Sequence, residues 1–203
     1  MGIAFACALS MTSCGAKSRQ ASGDSGSAAV AVSVTDTASA IVPVYAKGYT
    51  VKYLPGNVRL VDIRDPQKEE GNTFRYALVP KGAKPAGIPD GYTVIETPVK
   101  HAICMTSLQL SNFIRLDACD YVAGITSTRH LFNKEMKERL KSGKTSKIGI
   151  EGNFDNEVIM SINPDVIFIS PFKRGGYDAM RETGIPLVPH LGYKEIVAFS
   201  TAQ

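Results

Sequence analysis

The chain has 203 residues, with 23 Lys and Arg against 19 Asp and Glu, a formal net charge of +4. Hydrophobic residues make 44% and charged residues 21%, which excludes a wholly disordered chain, a collagen and a coiled coil. The small positive excess is not clustered as a nucleic-acid binder clusters it, and no apolar run reaches the ~18 residues that mark a membrane span.

Residues 3–9 are short and apolar, and small residues lead from them to Cys14. This reads as an export signal over residues 1–13. A signal that ends on a cysteine resembles a bacterial lipobox, in which cleavage leaves Cys14 first in the chain and its thiol carries lipid. The basic start of such a signal is missing, since no Lys or Arg precedes residue 14. Residues 14–40 are Ser, Ala, Gly, Thr and Val with few charges, and Lys17 and Arg19 offset Asp24 and Asp36. Such a stretch buries too little surface to offset its chain entropy, so it reads as a flexible tether. With Cys7 cleaved off and Cys14 lipidated, Cys104 and Cys119 remain. Both lie among apolar residues without C-x-x-C spacing and read as buried core positions. Whether they pair is left open.

The periodic signal begins at residue 41 and defines a folded body over 41–203. Residues 44–49 and 51–53 alternate, Pro55-Gly56-Asn57 makes a turn, and residues 58–63 alternate again, which predicts a hairpin. Residues 74–79 and 93–96 read as further strands, separated by a Gly- and Pro-rich loop over 81–90. From residue 99 the pattern changes to strands alternating with helices. Strands are predicted over 99–105, which takes in His101, and over 121–125, 147–150, 165–170 and 187–189. The helices between them start at Thr106 or Ser107, at 130, at Asn153 or Asp155, and at 177. Leu110, Phe113 and Ile114 form one inward face, Leu131, Met136 and Leu140 another, and Glu135 and Arg139 stand at i,i+4 spacing for an ion pair. The expected fold class is therefore α/β, a parallel sheet with helices on both faces, preceded by a small β-hairpin region.

In such a sheet ligands sit at the carboxyl ends of the strands. Thr106, Ser107, Arg129, Asn153, Phe154, Phe172, Arg174 and Tyr193 lie on or near those ends and are the candidate ligand-binding residues. Aromatic rings can flank a bulky planar ligand, and arginine can offset an anionic one. Catalytic patterns are poor. Ser142-Gly143-Lys144-Thr145 spells the tail of a P-loop but follows a predicted helix, and Ser170-Pro171-Phe172-Lys173 matches S-x-x-K without companion motifs. His101, His130 and His190 are far apart, with no carboxylate at metal-ligand spacing. No catalytic residue, metal or cofactor is expected.

Several phrases together resemble the class III periplasmic substrate-binding proteins of ABC importers, in the lipoprotein branch. They are His101-Ala102-Ile103-Cys104-Met105-Thr106-Ser107, then Asp120-Tyr121-Val122-Ala123-Gly124-Ile125-Thr126, then residues 149–167 with Glu157, Pro164 and Asp165 in place, then residues 183–188. Val61-Asp62-Ile63-Arg64-Asp65-Pro66, after Tyr45-Ala46-Lys47-Gly48-Tyr49, is similar to that branch's leading hairpin. The resemblance implies one Rossmann-like lobe of a two-lobed receptor, here the N-terminal lobe, with the hinge helix and second lobe missing. It implies a monomer, held at the periplasmic side of the membrane by its lipid, that captures a ferric siderophore, haem or cobalamin. The complex would pass to an inner-membrane permease, with Glu157 in contact with permease arginines. The other reading is a small exported α/β enzyme, hydrolase-like, for which the poor catalytic set speaks least.

Overall fold

Apolar residues at every second position give the first half of the body five strands: β1 (Ala40–Ile41), β2 (Tyr49–Leu54), β3 (Val58–Ile63), β4 (Phe74–Pro80) and β5 (Thr93–Thr97). They form one sheet in that order. β1 to β4 pair antiparallel, and β5 lies parallel to β4. In the β2–β3 turn Gly56 and Asn57 have φ of 77° and 59°, a left-handed conformation those two residue types tolerate. The expected hairpin is present, but it is the centre of a larger mixed sheet. The Gly- and Pro-rich connection after β4 returns the chain to run beside β4 in the same direction.

This computed structural model describes residues 40–41, 48–64, 73–84, 87–126, 129, 131–150, 152–170 and 177–190. All lie in one compact unit, Thr35–Gln203. The expected signal, most of the tether, Cys14, residues 44–47, His130, Phe172, Arg174, the Gly175-Gly176 loop and Tyr193 fall outside the described residues.

The second half alternates as expected. The elements are β6 (Ala102–Cys104), α1 (Ser107–Arg115), β7 (Val122–Ile125), α2 (Lys134–Lys141), β8 (Ser146–Lys147), β9 (Gly149–Ile150), β10 (Asn153–Phe154), α3 (Asn156–Ile162), β11 (Val166–Ile169), α4 (Asp178–Arg181) and β12 (Leu187–Pro189). Five of these strands form a parallel sheet in the order β12-β11-β6-β7-β8. α1 and α2 pack Leu110, Phe113, Met136 and Leu140 against Cys104, Val122 and Ile125. α3 and α4 pack Ile159, Ile162 and Met180 against Ile103, Met105, Ile167 and Ile169. The helices thus bury both faces, and each fully buried aliphatic side chain contributes roughly 2–3 kcal/mol relative to exposure. Cys104 and Cys119 are buried and free. Burial pushes the Cys104 thiol up to about 12 and the Cys119 thiol to about 11.

Local chemistry sets the helix ends. Thr106 caps α1 in a reciprocal box with Gln109, Asn133 caps α2, and Asp155 caps α3. Asn163 ends α3 at φ 48°, ahead of Pro164.

Three expectations are corrected. The strand predicted over 99–105 is shorter, and His101 precedes it. The amides of Lys100 and His101 donate to the Asp165 carboxylate at 2.7 and 2.9 Å. Arg139 does not serve an i,i+4 pair with Glu135. Its guanidinium donates to the Asp120 carboxylate and carbonyl and to the Thr145 hydroxyl, while the Glu135 carboxylate helps to raise the pKa of the Cys119 thiol. The strand predicted over 147–150 divides. β8 is an edge strand, whereas β9 turns away and pairs antiparallel with β10.

Gly149 makes that division possible. It has φ +92°, and a Cβ there would lie 2.5 Å from the carbonyl oxygen of Asn153. Gly152 has φ +81° with open space around its Cβ position. Gly152→Ala should therefore cost only the backbone penalty of about 1–2 kcal/mol, and Gly149→Ala distinctly more. Urea unfolding midpoints of the two variants check this, and equal losses would show that the close approach does not matter.

Candidate functional site

The order β12-β11-β6-β7-β8 contains a reversal. From β6 the chain steps outward to β7 and β8, then returns to β11 on the other side of β6 and steps out to β12. The connections leaving β6 and β11 therefore diverge at the carboxyl edge, the place where open α/β sheets hold ligands. The edge runs through His190 after β12, Ser170 after β11, Met105 and Thr106 after β6, and Thr126 after β7.

The end of β6 is tightly held. Gln109 Oε1 accepts from the amides of Met105 and Thr106 at 2.8 and 3.0 Å, and Gln109 itself is buried. The Thr126 hydroxyl, also buried, donates to the Met105 carbonyl at 2.9 Å. The backbone of Met105 and Thr106 thus meets partners within the protein. Sequence reasoning reached the Thr106 cap but missed Gln109, although Thr106-Ser107-Leu108-Gln109 spells the S/T-x-x-Q box. It reached Thr126 only as the last residue of the phrase over 120–126.

A second contact closes the rim. Asn112 Nδ2 of α1 lies 3.0 Å from His190 Nε2. With the amide donating, His190 accepts through Nε2 and carries its proton on Nδ1. His190 is half-buried, and burial holds its pKa below the ordinary value of 6.5.

The predicted residues distribute as follows. Thr106 is half-buried and occupied as the α1 cap, and Ser107 stands exposed beside it as the first residue of that helix. Arg129 is exposed in the connection between β7 and α2. Asn153 is exposed on the β9–β10 hairpin, while Phe154 is half-buried and stacks on Tyr177 at 5.8 Å between centroids. Glu157 is exposed in the first turn of α3. The Ser142-Gly143-Lys144-Thr145 phrase forms the C-terminal end of α2, where the amides of Lys144 and Thr145 both donate to the Arg139 carbonyl. That is a helix stop, not a phosphate cradle. Among the described residues no three His, Cys, Asp or Glu side chains converge as a metal set, and no helix is long and apolar enough to cross a membrane.

No protein-family model matches the chain, and no curated protein does. Three solved structures are similar over part of its length. The petrobactin-binding protein YclQ from Bacillus subtilis is 21% identical over 45% of this chain and 30% of its own, with a TM-score of 0.36. The molybdate periplasmic binding protein MolA of a Haemophilus influenzae ABC transporter, bound to molybdate, is 18% identical over 50% of this chain and 34% of its own, with a TM-score of 0.41. A periplasmic binding protein from Veillonella parvula is 16% identical over 61% of this chain and 36% of its own, with a TM-score of 0.38. The chain therefore spans about a third of the length of each.

The His190 contact has a pH signature. A neutral, half-buried imidazole that accepts from Asn112 resists protonation, so the folded state takes up its proton at lower pH than the unfolded chain does. Stability linked to His190 is then complete above the ordinary pKa and declines as pH falls below it. Histidine NMR titration should place His190 below 6.5, and Asn112→Leu, which removes the donor, should move the midpoint. A His190 midpoint at or above the ordinary value would show that the buried contact is absent in solution.

Proposed function

We propose that the chain is the substrate-binding component of an ABC importer, which captures an iron complex (siderophore or haem) or cobalamin outside the inner membrane and delivers it to a permease. The observation that carries this reading is the reversal of strand order at β6 and β11, with a carboxyl edge of hydroxyl, amide and guanidinium groups. The phrases that resemble the class III receptors fall on the elements that build this edge. Residues 120–126 form β7 and its approach, residues 149–167 run from β9 into β11, and residues 183–188 lead into β12.

In this reading the ligand contacts come from Thr106, whose hydroxyl already caps α1, from Ser107, Arg129 and Asn153, and from Phe154, Phe172, Arg174 and Tyr193. Arg129 and Arg174 offset the negative charge of a ferric chelate. Glu157 is exposed near the start of α3, and its carboxylate is free to reach permease arginines. Cys14 carries the lipid that keeps the receptor at the membrane. The chemistry required is recognition alone, with no bond made or broken.

Equilibrium dialysis against a ferric siderophore, haemin and cyanocobalamin tests this. One of the three should bind saturably and come back chemically unchanged. Arg129→Ala combined with Ser107→Ala should weaken it at least tenfold, about 1.4 kcal/mol. Failure of all three to bind, or conversion of the ligand, overturns the reading. The anchor is tested separately in a bacterial host fed labelled palmitate. The wild-type chain should carry label in the membrane fraction, Cys14→Ser should carry none, and label persisting on the variant rules out Cys14 as the lipidated residue.

A further inference from the structure

Right-handed crossovers leave one quadrant of the parallel sheet without a helix of its own: the side of β11 and β12 turned towards α1. The mixed sheet roofs it. Tyr76 of β4 and Ile95 of β5 pack on Ala102 and Val166, and the Tyr76 hydroxyl donates to the Leu187 carbonyl at 2.6 Å. The roof does not fill the space. A cavity of about 480 Å³ remains, walled by Val61 and Leu78 of the mixed sheet, by Phe113 and Tyr121 from the α1 side, and by Val166 and Phe168 of β11. Phe113 and Phe168 meet edge to face in its wall, with centroids 5.7 Å apart. The cavity lies towards the amino ends of the strands, because Val166 opens β11, Val99 precedes β6 and Tyr121 precedes β7. None of the carboxyl-edge residues Met105, Thr106, Thr126, Ser170 and His190 lines it.

Its chemistry is one-sided. Among the described residues no Asp, Glu, Lys, Arg or His lines it, and the Tyr76 hydroxyl is already bonded to Leu187. The remaining side-chain polar groups of the lining are the hydroxyls of Thr97 and Tyr121, and Tyr121 is 46% exposed at the rim. An ionised ligand would lose its hydration here and gain no partner. The volume falls within the roughly 300–1,000 Å³ of small-molecule pockets.

We propose that this cavity is a second binding site, for a neutral and predominantly apolar small molecule with at most one or two uncharged hydrogen-bonding groups. The aromatic and aliphatic walls take the body of the ligand, and any polar end stays at the mouth, towards water. The proposal does not depend on what the carboxyl edge binds.

The test is a fluorescence titration of the full chain with N-phenyl-1-naphthylamine, a neutral apolar probe. Saturable, blue-shifted emission at one probe per chain is expected. The sulfonated, anionic relative 1-anilinonaphthalene-8-sulfonate should bind at least tenfold more weakly. Leu78→Arg places a charge in the cavity and should lower probe affinity at least tenfold. Val61→Trp fills the same space without charge and decides the matter if the arginine variant does not fold. Ser107→Ala, at the opposite edge, should leave probe binding unchanged. Non-saturable emission, equal affinity for the anionic probe, unchanged binding in the cavity-filling variant, or emission that follows formation of a dimer in size-exclusion chromatography would each overturn the proposal.

Discussion

Asp165 is one residue short of β11, yet its carboxylate reaches back more than sixty positions to accept the amides of Lys100 and His101. Its own amide donates to the His101 carbonyl at 2.9 Å, and Lys81, just beyond β4, approaches the same carboxylate at 3.6 Å. Hydrogen bonds to a charged group contribute about 1.5–3 kcal/mol each, with the lower figure apt for a carboxylate that is partly exposed. The Lys81 pair, nearer the surface, adds little. Burial alone would push the Asp165 pKa up, but the two amides, Lys81 and His101 outweigh it and hold the group below its ordinary value. The tie is therefore complete at neutral pH and is lost only in acid.

Those bonds set the register of the parallel sheet at its centre. With Asp165 pinned at the start of β6, Val166 faces Ala102 and Ile167 faces Ile103. A slip of one residue would exchange the two faces of the strand. Ile103 and Met105 would leave the cluster under α3 and α4, and Cys104 would leave the one under α1 and α2. Register at the amino end thus determines where Met105 and Thr106 arrive at the carboxyl end, where Gln109 and Thr126 receive them. The same linker carries Thr97, Pro98 and Val99 along the cavity. One carboxylate so fixes the geometry at both ends of β6.

Much of this architecture is legible in the sequence because it depends on near neighbours. The β2–β3 turn is spelled by Pro55-Gly56-Asn57, and the stop of α3 by Asn163-Pro164. Burial of Cys104 follows from the apolar residues around it, whereas Cys119 stands between Ala118 and Asp120 and is buried by the cluster under α1 and α2. What the sequence conceals are contacts between distant positions. Gly and Pro mark residues 81–90 as a loop without saying that β5 returns parallel to β4. Arg139 has an acidic neighbour on its own helix, yet Asp120, nineteen positions away, takes it. The candidate site divides in the same way. Thr106 and Ser107 are reached from strand and cap patterns, whereas the Asn112–His190 contact joins residues 78 apart and shows no local mark.

The disposition of polar groups at the carboxyl edge bears on what that edge can do. A catalytic group must keep a lone pair or proton for the substrate, with a base or nucleophile in reach. Here the Thr106 and Thr126 hydroxyls and the Gln109 amide serve the backbone at the end of β6, and His190 Nε2 faces Asn112. Side chains bonded in this way hold the backbone at the end of β6 in place. In any site, each rotamer already ordered is an entropy cost avoided on binding. Ser107, Arg129 and Asn153 stand exposed outside this inner layer. Among the described residues the edge thus has two layers: an inner one of side chains that hold the end of β6 and an outer one of exposed side chains.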